Sequence, residues 1–186
     1  FDPEQNFPSP SFVRQIENQN LHALNIPELT IITPAALQTE AERVAQLHRE
    51  EGLTVAVIEQ EKIFNEFSSG TPDASAYRRL MKMFYDRAEG NENVRPRYLL
   101  LFGDGSYNNR KSMEKLHSPE CNMLLTYQSK TSIDERESFV IEDYFGFLED
   151  NSGEEIKVDK VCLGIGRFPI SSIKNARLVV DKLYRY

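Results

Sequence analysis

Three short apolar runs constrain this chain more than any other feature: ELTIIT at 28–33, LTVAVI at 53–58 and RYLLLF at 97–102. None alternates polar with apolar residues, so each reads as a strand buried on both faces, as in parallel sheets covered by helices. Helical periodicity fills the intervals. Leu37, Ala41, Val44 and His48 recur at helical spacing over 35–51, and Gly52 is placed to stop that helix. After GTPD, where Asp73 is the expected N-cap, Tyr77, Leu80, Met81, Phe84, Tyr85 and Ala88 form the clearest stripe in the sequence. Strand–helix–strand–helix–strand order implies right-handed crossovers. The expected fold class is therefore α/β: three layers, with a mostly parallel sheet and helices on both faces.

Beyond residue 103 the patterns weaken. NMLLTY (122–127) reads as a fourth strand, and SFVIEDYFGFL with EEIKV, joined across EDNSG, as a hairpin or sheet extension. VCLGIG supplies a last core strand near 161–165. A helix over 172–184 follows, with Ile173, Ala176, Val180 and Leu183 on one face. Residues 1–27 open with FDPEQNFPSPSF, which lacks the charged-then-apolar pattern of a signal peptide and reads as a linker and lead-in. The folded unit is expected over 28–186.

Lys and Arg number 22 against 29 Asp and Glu, a net charge of -7 with no basic stripe, so nucleic acid is not an expected partner. The apolar runs are strand length, well short of the roughly 20 residues that cross a bilayer, so no membrane-spanning segment is expected. In open parallel sheets ligands gather beyond the carboxyl ends of the strands. That edge should hold Pro34, the FNEFSSG turn (64–70), Asp104, Tyr127 and Arg167, with 104–137 as the working loop.

No catalytic residue is assigned in this chain. Cys162, inside VCLGIG, is expected to be a small buried hydrophobe. Cys121 follows His117 by four residues in a loop, but nearness in sequence does not create the geometry of a thiolate and its base. His22 and His48 have no zinc-site spacing. Asp104, between Gly103 and Gly105, has two readings. It is a turn residue whose carboxylate bonds nearby backbone N–H groups, or a ligand for a hard cation, with Glu142, Asp143, Glu149, Asp150 or Asp159 adding oxygens. GDGSY lacks the spacing and lysine of a phosphate-binding loop.

Three strings taken together are more specific: IFNEFSSGTPDASAYRRLMK (63–82), PRYLLLFGDGSYNNR (96–110) and GIGRFPISSIKNARLVVDKLYRY (164–186). They resemble the gingipain-like cysteine peptidases, and FNEFSSG, LLLFGDGSY and EDYFGFL are most similar to the signal peptidase, or sortase, branch of the type IX secretion system. The resemblance implies a caspase-like domain of two similar halves, this chain being the first. It implies thiol-dependent cleavage of polypeptides, in that branch at carboxy-terminal sorting signals, by a secreted or outer-membrane, cell-surface protein. The histidine of the family lies in a GHG-type motif of the second half, which this chain lacks, so the catalytic pair is expected beyond Tyr186. LLLFGDGSY occupies the matching place in the first half. The resemblance also implies a structural Ca²⁺ on Asp104, with Asp159 as second ligand, although Cys162 stands near where the family favours an acid. The alternative reading is a stand-alone binding or adaptor module with the same fold.

Overall fold

A computed structural model describes residues 11–12, 15–114, 116, 121–129, 133–134 and 136–185. The first strand, β1 (Leu29–Thr33), is buried throughout its length. It lies between β2 (Val55–Glu59) and β3 (Tyr98–Phe102), and β3 is joined on its other side by β6 (Gly164–Phe168), giving the order β2-β1-β3-β6 with every pairing parallel. Successive β1 side chains point to opposite faces. Leu29 and Ile31 enter one apolar cluster and Ile32 the other.

Helices cover both faces, as the sequence predicts. On one side lie α1 (Gln38–Glu50), which follows a short 3-10 turn at Ala35–Leu37, and α5 (Ile173–Leu183). They bury Ala41, Val44, Ala176 and Val180. On the other side α2 (Gln60–Phe67) and α3 (Ser75–Arg87) bury Phe64, Tyr77, Leu80, Met81 and Phe84. The capping expectation is met at Gly52, while α3 is capped at Ala74 without a side-chain capping bond, and Asp73, the expected cap, stands one residue earlier. Gly52 takes a φ of 96° after α1, and the Asp73 carboxylate accepts the Ser75 N–H at 2.8 Å. The Ser172 hydroxyl accepts the Asn175 N–H at the start of α5.

Several expectations need correction. β2 is an edge strand with three of its first residues half-exposed, not one buried on both faces. β6 starts at Gly164, three residues later than the sequence suggests, and forms the opposite edge, so Cys162 precedes the strand and is half-buried rather than in the core. Ile173 is exposed. FNEFSSG is mostly the end of α2, continuous with β2. NMLLTY contributes a two-residue strand, β5 (Met123–Leu124), which pairs in parallel with β4 (Asp104–Gly105) outside the main sheet. The hairpin over 138–158 is absent among the described residues: Asp143–Gly146 is a 3-10 turn, and Val140 makes an isolated antiparallel bridge to Gln128. A short helix, α4 (Asn109–Met113), lies between β4 and β5.

The lead-in contributes to the folded unit from about Gln19. The Glu66 carboxylate of α2 accepts the Leu21 N–H at 2.7 Å and the Gln19 side-chain amide at 2.9 Å, and meets His22 Nδ1 at 2.6 Å. The His22 ring stacks on Phe67. Burial alone would raise the Glu66 pKa, but these donors bring it below its ordinary 4.5. A lowered folded-state pKa means the contact is held at neutral pH and lost as pH falls through that lowered value. Acid titration followed by NMR should therefore release the Leu21 and His22 amides before the core unfolds. Amides unmoved until global unfolding would contradict this coupling.

Candidate functional site

At the carboxyl edge, the chain leaving β1 goes to the α1 face, while the chain leaving β3 goes to the other. That arrangement opens a crevice between the two strands. Here it is filled. A Cβ on Gly103 would lie 3.1 Å from the Asn122 carbonyl oxygen and from Leu124, and 3.2 Å from Pro34. A side chain there would push the 121–126 segment or Pro34 back by a few tenths of an ångström. Asp104 N–H is shared between the carbonyls of Asn122 and Ile170, each at 3.1 Å.

Arg167, at 12% side-chain exposure, fastens the edge. Its Nε and Nη2 bind the two Glu142 oxygens at 2.8 and 3.1 Å. Nη1 donates to the carbonyls of Gly103 and Asp104, at 3.3 and 3.2 Å, and Nη2 also donates to that of Leu125 at 3.0 Å. A planar fork of five donors suits this set, which a lysine could not satisfy. Gly105 is enclosed by it: a Cβ there would be 2.8 Å from Thr126 Cγ2 and 3.2 Å from Arg167 Cζ.

A second, buried chain of hydrogen bonds holds the same segment from below. Gln60, at the first position of α2, donates to the Met123 carbonyl at 2.8 Å and accepts the Tyr77 hydroxyl at 2.7 Å. That hydroxyl in turn accepts the Leu125 N–H at 3.3 Å. Burial holds the Tyr77 phenol proton far above its ordinary range, so the hydroxyl stays a donor at any working pH. Thr126 and Asn109 complete the lashing, through Thr126 Oγ1 to the Ser106 carbonyl at 2.8 Å and Asn109 Nδ2 to the Thr126 carbonyl at 2.7 Å. Beside this platform runs a groove of about 420 Å³ lined by Asp73, Asn109, Thr126 and Tyr127. Tyr127 is stacked on Tyr144, with the Arg78 guanidinium over the Tyr144 ring.

The structure thus brings Pro34, Asp104 and Arg167 together, with Tyr127 next to them. It brings Gln60, rather than the turn after Phe67, to the edge. Glu142, named in the sequence as an oxygen donor for a cation, is instead the partner of Arg167. Asp104 and Asp159 are not united. Asp104 follows the carboxyl end of β3 and its Oδ1 accepts the Gly105 N–H at 2.9 Å. Asp159 precedes β6, and its carboxylate accepts the N–H groups of Gly153 and Glu155 at 2.6 and 3.1 Å. Among the described residues no group of three or more His, Cys, Asp or Glu is arranged to hold a metal. These two aspartates therefore do not fit a shared Ca²⁺. Thermal melts with calcium and with chelator are expected to agree within about 1 °C, since only binding to the folded state raises the midpoint. A midpoint that climbs with calcium in the wild type but not in Asp104→Asn would restore the metal reading.

The thiols have no described histidine beside them. Cys121 is buried, its Sγ 3.8 Å from the Met123 carbonyl and 3.9 Å from Gln60 Nε2. Cys162 Sγ lies 3.7 Å from the Lys160 carbonyl. His22 pairs with Glu66 and His48 with Glu51. His117 lies outside the described residues.

The sequence model of peptidase family C25 matches residues 22–186. A solved structure, described as dimeric latent PorU from Porphyromonas gingivalis, aligns with a TM-score of 0.80 and 45% identity, over 92% of this chain and 16% of that one. This chain therefore spans about a sixth of that relative's length. Comparison with curated proteins gives no match.

Proposed function

Because the chain belongs to peptidase family C25, the gingipain family of cysteine peptidases, we propose that it is the supporting lobe of a thiol-dependent endopeptidase whose cysteine and histidine lie in a second lobe. The observation that supports this reading is the family match over residues 22–186, in a chain that spans only 16% of the similar solved protein. Cys121 is buried, packed between the Met123 carbonyl and Gln60 Nε2, whereas a cysteine nucleophile must reach both its substrate and a base. The platform built on Arg167 then supports one side of a substrate cleft.

The FNEFSSG, LLLFGDGSY and EDYFGFL strings favour the signal-peptidase branch. The substrates are then polypeptides carrying the carboxy-terminal sorting signals of type IX secretion, and the protein works at the cell surface or outer membrane. No helix among the described residues is long and apolar enough to cross a membrane. The second lobe is the required partner. β6 pairs with β3 alone among the described strands, which leaves its other edge open, and Val161, Ile173 and Leu178 are exposed nearby in sequence.

The test uses the full-length protein. Replacing Cys121 and Cys162 by alanine together should leave peptide cleavage within about threefold of wild type, because neither touches the reacting atoms. Residues 1–186 alone should not cleave. Loss of thiol-dependent turnover in the double variant, with the fold retained, would place the nucleophile in this lobe.

A further inference from the structure

Gly166 of β6 has no explanation inside this lobe, whereas Gly164 makes room for the Tyr98 ring, 3.2 Å from where a Cβ would stand. Gly164 and Gly166 fall on the face of the sheet shared with Leu100 and Phe168. A Cβ on Gly166 would meet nothing within 4 Å, and its φ is not among the positive ones. Neither backbone conformation nor internal packing requires glycine there. Glycine within a strand weakens it, and often marks a place where another backbone comes close.

A recess of about 580 Å³ lies over this position. Leu29, Leu100 and Phe168 form its apolar floor with the two glycines, and His48 and Glu51 stand at its rim. Helix lengths explain why it is open. Arg177 reaches Glu40 at 3.3 Å, Asp181 meets Arg43 at 2.7 Å, and the Tyr184 hydroxyl donates to the Arg43 carbonyl at 2.7 Å. The two helices therefore run the same way, and the last turn of α5 stands beside the middle of α1. Seven further residues of α1, from Val44 to Glu50, extend about 10 Å beyond that point. The recess sits alongside them. The apolar stripe of α5 (Ala176, Val180, Leu183) packs into the same cluster as Leu29, Leu100 and Phe168.

We propose that the polypeptide following Tyr186 in the complete protein occupies this recess, seating apolar side chains on Leu29, Leu100 and Phe168 with its backbone against Gly166. This rests on the two-lobe reading above and says where the following chain is anchored. The similar solved chain is about six times the aligned length, so such a segment is available in a protein of that size. A second copy is a poorer occupant. Twelve residues line the recess, against roughly 20–30 a side in a stable protein–protein interface. A segment already attached to α5 avoids the entropy cost of association.

The experiment takes the full-length protein and adds one reporter thiol to the native cysteines, by Gly166→Cys or, at the rim, by His48→Cys. Maleimide labelling is read site by site by mass spectrometry, then repeated with a short bifunctional cross-linker. Labelling should be at least tenfold slower than at the same site in denaturant, and the cross-linked peptide should come from residues beyond Tyr186. Rapid labelling at both sites, or a cross-link to residues 1–186 of a second copy that strengthens with concentration, would overturn the proposal. If Gly166→Cys does not fold, carbene footprinting of the wild type gives the same answer. Leu100 should then be unlabelled while Val158, exposed in this lobe, is modified. Heavy labelling at Leu100 would overturn the proposal. Peptide cleavage, measured on the same preparations, reports the two-lobe reading separately.

Discussion

Phe84→Ala is expected to lower the unfolding free energy by about 3–5 kcal/mol, the usual range for a phenylalanine removed from a closed core. Phe84 is fully buried on α3 in the same cluster as Ile32, Leu80, Leu99 and Leu101. The cavity would have little chance to collapse. Tyr77, two turns earlier on the same stripe, is fixed through Gln60 to the 121–126 segment, and its ring packs against Phe64 and Phe145. Urea melts of wild type and variant at matched slope give the difference. Phe84→Leu, which keeps most of the volume, should lose about half as much or less. A loss under about 1 kcal/mol for the alanine variant would show that this face of α3 is not closed.

Arg167→Met should cost about 3 kcal/mol, by a different route. The side chain is similar in length, so the lost packing is small. What disappears is a bidentate ion pair and three bonds to carbonyl groups, and Glu142 keeps its charge at a partly buried position. Arg167→Lys should recover less than half of this, because one ammonium cannot reach both Glu142 oxygens and the carbonyls of 103–104 and 125. Hydrogen exchange provides a local readout. The amides of Gly105 and Thr126 should exchange faster in Arg167→Met, while those of β1 follow only the global loss. A neutral Arg167→Met would mean that desolvation of the pair offsets all it contributes.

Much of the fold was legible in the sequence because local rules and tertiary burial agree in its first half. The unbroken run in β1, the α3 stripe and the stop at Gly52 each read correctly on their own terms, and Asp73 misses the start of α3 by one residue. The misreadings share one cause: an apolar run marks burial, not conformation. NMLLTY and 139–148 are apolar because Leu124, Leu125, Ile141, Phe145, Phe147 and Leu148 close the α3 face as a third, irregular layer. The sequence puts β6 three residues early because Val161, Cys162 and Leu163 look more strand-like than the glycines that form the ladder. α2 was hidden because it starts directly after β2, with Glu59 at its cap and no side-chain capping bond.

The site was legible in part. Arg167 and Asp104 could be assigned to the carboxyl edge from strand ends. The pairing of Arg167 with Glu142 could not, since 25 residues separate them and no periodic pattern links the two. Gln60 gave a weak signal as an amide at a strand–helix junction. Its role depends on a tyrosine 17 residues away and on the Met123 carbonyl of β5, further still.

The strand order β2-β1-β3-β6 carries a consequence for assembly in time. β1, β2 and β3 are complete once Phe102 has been made, and their pairings use no later residue. β6 attaches at the rim of that sheet more than sixty residues afterwards, and closing so long a loop is entropically slow. As the chain emerges, a three-stranded nucleus with α1 and α3 can wait for its fourth strand, while Gly164 and Gly166 give that strand little intrinsic tendency to extend. β6 is therefore expected to join last and open first. In native-state hydrogen exchange, its amides should be released at a lower free energy than those of β1, and a single shared opening would show that the sheet assembles as one cooperative unit.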